Sequence, residues 1–259
     1  MTRTRRDLDF LPRVLSKWGR CSRREAERWV TTGRVSVNGV VRRSVVEQVR
    51  PDHDRIEVDG EPLRRAAWVY AKLHKPVGVV TTMKDPDGRP TIAGMIPPAL
   101  AGAMPVGRLD LDSSGLLLLT NDHSLAARVA GPDHRVKKVY RVEVNQHPDE
   151  ERLAPIRAGI ELDGRVRCRP VLITILERRE RSTLLELTLD EGKFRQIRRS
   201  LKAVGLRVRT LHRVKVGPIE LGDLEPGAIA ALTDAEIAAL RAAADGEERT
   251  RGAGARRAQ

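Results

Sequence analysis

Aromatic residues are scarce in this chain. It has three Trp, two Tyr and two Phe among 259 residues, so a core has to come from Leu, Val, Ile and Ala. Cysteine is scarcer still. Cys21 and Cys168 lie far apart with no ligand-like spacing, which excludes a disulfide framework or a thiolate zinc site. The six histidines are scattered. Neither a phosphate-cradling glycine loop nor a dinucleotide fingerprint is present, so no metal and no cofactor are expected. The leucine run Leu116 to Leu119 is too short to span a membrane, and the first residues do not read as a signal peptide. A cytoplasmic protein with no membrane partner is expected. Acidic charge is short as well: 48 Lys and Arg against 35 Asp and Glu leave a net charge of +13. That imbalance calls for a polyanionic partner, and nucleic acid is the usual one.

What is present is organised around Gly107 to Asp122. A loop of acids and small residues, Gly107-Arg-Leu-Asp-Leu-Asp-Ser-Ser-Gly, runs into four leucines and stops at Thr-Asn-Asp. An apolar run of that length bounded by turn residues predicts a strand buried on both faces. Asn121 or Asp122 then caps a helix beginning near Ser124. Asp110 and Asp112 are thereby expected on a loop that a rigid strand holds in place, where function is often carried.

Ahead of this lies a small module. Leu11, Val14, Leu15 and Trp18 recur at helical spacing up to Gly19, and Ser22 with Glu25 signals the start of a second helix carrying Ala26, Trp29 and Val30. Asn38-Gly39, between alternating apolar residues, predicts a hairpin. Arg20, Arg23, Arg24 and Arg34 cluster about the second helix as candidate phosphate contacts.

Beyond the segment 63–67, expected as a linker, a strand begins near Trp68, and Pro76 and Gly78 turn the chain. Tyr140, Val142 and Val144 share one face of a later strand. Residues 149–157 read as a short helix, and 159–176 and 182–189 as strands joined by a charged turn. Lys193 opens a helix with Phe194, Ile197, Leu201 and Val204 on one apolar face and Gly205 as its stop. From Lys193 to Lys215 there are nine Lys or Arg and no Asp or Glu. Alternation puts Arg207, Arg209, Arg213 and Lys215 on one side of the following strand and Val208, Val214 and Val216 on the other. With Lys193, Arg195 and Arg199 they form an expected phosphate-binding surface. Thr233 and Glu236 make a capping box with Leu232 and Ile237 as its staple. The flexible N-terminus is expected over 1–8 and a disordered basic tail over 245–259.

Two resemblances follow from these residues. The paired short helices and Gly33-Arg-Val-Ser-Val-Asn-Gly resemble the S4-type RNA-binding domain, over 9–62. Gly107-Arg-Leu-Asp with Ser113-Ser-Gly-Leu-Leu-Leu-Leu-Thr-Asn-Asp is similar to the signature of RNA pseudouridine synthases, in the branch that acts on ribosomal RNA and carries an S4-type domain. Lys75-Pro-Val-Gly, Lys138-Val-Tyr and Glu191-Gly-Lys-Phe-Arg-Gln-Ile-Arg match the family's other motifs in order. The resemblance implies an α+β fold, with a small N-terminal S4-type domain and a catalytic domain over 68–244 built on a long, mostly antiparallel sheet flanked by helices. It implies Asp110 as the carboxylate that breaks the glycosidic bond, Tyr140 stacked on the base, and Arg198 paired with Asp110. Arg108 would fill the space left by the flipped uridine, Leu109 would wall the pocket, and Lys75 would serve substrate binding. The implied partner is ribosomal RNA, large-subunit in preference to small, or a subunit assembly intermediate, met by a monomer.

The residues alone leave Asp112 as an alternative to Asp110, which only the motif selects. They also leave a non-catalytic assembly factor and a base-releasing glycosylase as rival functions. A glycosylase releases free base, whereas a synthase returns an isomer of unchanged mass.

Overall fold

The computed structural model describes residues 8–18, 21–64, 67–131 and 133–246. The chain divides into two units, Met1–Trp68 with Ala99–Gly102, and Val69–Pro98 with Ala103–Gln259. Residues 1–7, Gly19, Arg20 and the tail from 247 lie outside the described residues.

In the first unit the helical stripes meet as their spacing requires. Helices α1 (Leu11–Trp18) and α2 (Arg23–Thr31) bury Leu11, Val14, Leu15, Ala26 and Val30 in one cluster. The Ser22 hydroxyl caps α2 by accepting from the Glu25 amide at 3.2 Å. Strands β1 (Val35–Val37) and β2 (Val40–Arg42) pair through Asn38 and Gly39, whose φ values of 53° and 80° suit the tight turn that Asn-Gly favours. Strand β3 (Ile56–Val58) pairs with the other edge of β1.

The second unit comprises β4 (Tyr70–Lys75), β5 (Met104–Val106), β6 (Ser114–Thr120), α3 (His123–Ala130), β7 (Lys138–Asn145), α4 (Glu150–Ala158), β8 (Leu172–Arg179), β9 (Ser182–Leu189), α5 (Gln196–Ala203), β10 (Val208–Val216), β11 (Ile229–Ala231) and α6 (Asp234–Asp245). The sheet runs β8-β9-β7-β10-β6-β4-β11, with β5 added on β6 and Ile219–Glu220 on β10, nine strands among the described residues. Only the β10–β6 pairing is parallel; the others are antiparallel. The leucine run is the expected doubly buried strand: Leu116 to Leu119 are all at most 2% exposed. Leu116 and Leu118 join one hydrophobic cluster with Leu125, Val129 and Leu240 from α3 and α6. Asp122 supplies the cap of α3, accepting from the Leu125 amide at 3.0 Å.

Two segments depart from strict periodicity. Pairing of β7 with β10 slips between Val139 and Tyr140, so that Tyr140 stands opposite Arg213 and Lys138 opposite Val216. Arg213 therefore shares a face with Val216 and Leu211, not with Arg209 and Lys215, and is only 4% exposed. A second slip between Glu143 and Val144 lies on the other side of Arg213, and the two bulges together reverse the parity that simple alternation assumes. The second departure is at α5, which starts at Gln196, not at Lys193. Ile197 and Leu201 are buried in the core as expected, but Phe194 precedes the helix and is 77% exposed.

Candidate active site

The loop between β5 and β6 is tied down from three sides. The Thr81 hydroxyl donates to the Leu109 carbonyl at 2.7 Å and accepts from the Leu109 amide at 3.2 Å. The Gly78 amide donates to the Leu111 carbonyl at 2.8 Å, and the Ser113 amide to the Asp110 carbonyl at 3.1 Å. From below, the fully buried Lys75 ammonium donates to the Pro76 and Ser113 carbonyls, both at 2.8 Å. Nothing in the sequence marked Thr81 for this task, because its partner lies 28 residues away.

Where this loop meets α5 the charges sort themselves. Arg195 donates to both Asp112 carboxylate oxygens, at 3.1 and 2.9 Å, and lies 3.6 Å from Asp110. Arg198 donates to the Asp112 backbone carbonyl at 2.7 Å and lies 3.3 Å from its carboxylate. The implied Arg198–Asp110 pair is thus replaced by Arg198–Asp112, with Arg195 bridging the two acids. The cause is the left-handed backbone of Arg195 (φ 48°, ψ 34°), which carries its guanidinium to the loop one turn ahead of Arg198. Burial by itself would raise the Asp112 carboxyl, but the Arg195 hydrogen bonds and the Arg198 charge hold it below the ordinary carboxylate range. Asp110 accepts no hydrogen bond at its carboxylate among the described residues; Arg195 is its one ion-pair partner.

Asp110 faces a cleft of about 400 Å³. Arg108, Leu109, Tyr140, Ile197, Arg213 and Phe194 are among its other lining residues. Leu109 is buried wall and Arg108 is exposed. Tyr140 is half-buried, its ring centroid 6.0 Å from the Arg213 guanidinium carbon. Arg213 donates to the Leu116 carbonyl at 2.7 Å and to the Arg108 carbonyl at 3.4 Å, so it braces the loop from beneath and is not part of an outer phosphate surface. Gly115 makes this bracing possible. Its φ is +107°, and a Cβ there would stand 2.2 Å from the Arg213 carbonyl oxygen.

Lys75 is likewise corrected from a substrate contact to a buried support. Burial pulls its ammonium down to about 8, against the opposing pull of Asp110 and Asp112. Between about pH 8 and its ordinary value of 10.5 the unfolded chain binds a proton that the folded chain has released, so this group's contribution to stability rises with pH across that window. Loss of the ammonium beside two carboxylates should nonetheless weaken the loop's catalytic geometry. We expect kcat/KM of the native enzyme to fall as pH rises through about 8, with no matching loss in the urea midpoint. A flat rate profile from neutrality to well above that value would refute the support role.

The remaining basic residues divide by commitment. Lys193 pairs with Glu191 at 3.2 Å, Arg199 pairs with Asp163, and Arg209 lies 3.8 Å from Glu143. Arg207 is exposed. In the first unit Arg23 and Arg24 are exposed, Arg23 lying 3.5 Å from Glu27; Arg34, also exposed, pairs with Asp59 and lies over the Trp29 ring at 5.1 Å. Arg20 falls outside the described residues. No group of three or more His, Cys, Asp or Glu suited to a metal ion occurs among the described residues, and no helix among them is long and apolar enough to cross a membrane.

Comparison with known proteins bears on this arrangement directly. Residues 69–203 match the RNA pseudouridylate synthase family, and residues 11–56 match the S4 domain. An uncharacterised RNA pseudouridine synthase of Aquifex aeolicus (strain VF5) is 41% identical over 229 residues, 88% of this chain and 92% of that one. Ribosomal large subunit pseudouridine synthase B of Bacillus subtilis (strain 168) is 35% identical over 239 residues, 92% of this chain and 98% of that one. A pseudouridylate synthase crystal structure superposes with a TM-score of 0.65 at 31% identity, covering 89% of this chain and 99% of that one. The family match runs through the acidic loop, the cleft and α5, with an S4 domain ahead of them: the chain belongs to the RNA pseudouridylate synthases, isomerases that convert uridine in RNA to its carbon-linked isomer.

Proposed function

We propose that this chain isomerises one uridine of ribosomal RNA, in the large subunit, with Asp110 as the attacking carboxylate. A single observation carries the assignment of Asp110. Of the two loop acids it is the one that lines the cleft with its lone pairs free of hydrogen bonds, while Asp112 is consumed by two arginines. A nucleophile has to keep an oxygen available. The ribosomal substrate is supported by the named Bacillus relative and by the net charge of +13.

In this reading the uridine leaves its stack to reach the cleft, and Arg108 occupies the space it vacates. An Asp110 oxygen attacks C1′, the C1′–N1 bond breaks, and its electron pair departs with the uracil anion. Uracil turns within the cleft, C5 attacks C1′, and the carboxylate is expelled. The C5 proton is then lost and N1 gains one, so product and substrate have equal mass. Tyr140 stacks on the ring and assists removal of the C5 proton. Arg198 positions Asp112, Asp112 positions Arg195, and Arg195 steadies Asp110 at 3.6 Å.

The test is a pseudouridine map of both ribosomal RNAs from cells lacking the gene, with and without the wild-type gene restored. One large-subunit uridine should lose its modification and regain it on restoration. A change confined to small-subunit RNA would move the substrate, and no change at any site would favour the assembly-factor reading.

A further inference from the structure

We propose that Phe194 is a stacking platform for an unpaired nucleobase next to the target uridine, a proposal that rests on the cleft being the uridine pocket. In a chain with seven aromatic residues, one is left 77% exposed on the cleft lining. Ile197, three residues on and lining the same cleft, is buried, whereas the Phe194 ring stays open to solvent.

The turn that carries it is rigidly built. The buried Glu191 carboxylate accepts from the Arg169 amide at 2.8 Å and the Gln196 side-chain amide at 2.7 Å. The Gln196 backbone amide donates to the Lys193 carbonyl at 3.1 Å, and its side-chain oxygen accepts from the Lys193 amide at 3.2 Å. The Arg199 guanidinium donates to the Phe194 carbonyl at 3.2 Å. Arg195, left-handed, is anchored at its far end by Asp112. Backbone on both sides of Phe194 is therefore fixed before any ligand arrives, which lowers the ordering cost of binding.

The chemistry around the ring selects the occupant. Lys193, Arg195 and Arg199 are within five residues of it, each already held in an ion pair, with Glu191, Asp112 and Asp163. An exposed aromatic on a strongly basic chain is the composition that holds single-stranded nucleic acid: the ring stacks on any base, and the net charge of +13 draws the phosphate backbone. The target uracil itself belongs deeper, beside Tyr140 and Asp110. The base that reaches Phe194 is then a flanking one.

Affinity is measured first in the Asp110→Asn background, which holds RNA without turnover, using a fluorescein-labelled RNA stem-loop centred on the mapped uridine. Phe194→Ala should weaken binding about 5- to 150-fold, the range expected for loss of one base–aromatic stack. Phe194→Tyr should retain wild-type affinity, and Phe194→Leu, apolar but without a π face, should not. Removing one flanking base from the RNA should weaken wild-type binding similarly, and Phe194→Ala should add nothing further on that RNA. With Asp110 intact, the Phe194→Ala loss should fall mainly on KM. Unchanged affinity for Phe194→Ala, full affinity for Phe194→Leu, or strict additivity with both flanking abasic sites would each overturn the proposal. Failure of the uridine reading is seen separately, as an unchanged pseudouridine map, and the proposal then falls with it.

Discussion

Asp110→Asn should lower kcat for pseudouridine formation by about 10⁴-fold or more, equivalent to about 5.5 kcal/mol of barrier, while RNA affinity stays level or rises. Asn preserves the shape of the side chain and removes the charge and the nucleophilic oxygen. Because the carboxylate accepts no hydrogen bond among the described residues and lies 3.6 Å from Arg195, the amide disturbs little of the loop. Removing a negative charge near bound phosphates cannot weaken electrostatic attraction. The companion Asp112→Asn acts through the two arginines it holds, so it should cost part of kcat and leave product detectable. Single-turnover assays on synthetic RNA, with affinity measured alongside, decide between them. Full activity in Asp110→Asn with none in Asp112→Asn would invert the assignment.

Gly115→Ala should be the most damaging small substitution in the second unit. Gly115 pairs with Arg213 where β6 meets β10, the parallel pairing in the sheet. Its φ of +107° disfavours any side chain, and an added Cβ would lie 2.2 Å from one backbone atom of Arg213 and 2.6 Å from another. Relief would require the strands to part, exposing Leu116 and releasing the Arg213 bond to its carbonyl. A loss of about 4 kcal/mol or more is expected, or roughly 10 °C in Tm. Gly107→Ala is the control: φ is +73° there, but the nearest atom to a new Cβ is 3.9 Å away, so about 1 kcal/mol of backbone strain is expected. Equal melting curves for the two variants would show that the close approach at Gly115 is unimportant.

The two glycines show where local sequence stops being informative. Both lie in the same motif with positive φ, and their consequences differ only because β10 passes against one of them. Arg213 is a similar case. Alternation assigned it to a solvent face, and two bulges that no residue type announces turned it inward beneath Tyr140. The same holds for the arginine partners. The interaction between Arg195 and Asp112 joins residues 83 apart, and a left-handed Arg195 decides which guanidinium meets which acid.

By itself the sequence determined the elements whose causes are local: α1 and α2 by their apolar stripes and the Ser22 cap, the hairpin at Asn38-Gly39, β6 by a leucine run between turn residues, and α6 by its capping box. These signals act within a few residues along the chain, so pattern alone exposes them. Its motifs also pointed to the family and to the loop that bears Asp110. Tertiary structure alone decided that Asp112 is spent on arginines and Asp110 is left free, that Lys75 is a buried prop, and that Phe194 stands bare at the cleft. Each depends on strand register and on which distant backbone comes within a few ångströms, and packing of the whole sheet sets those distances.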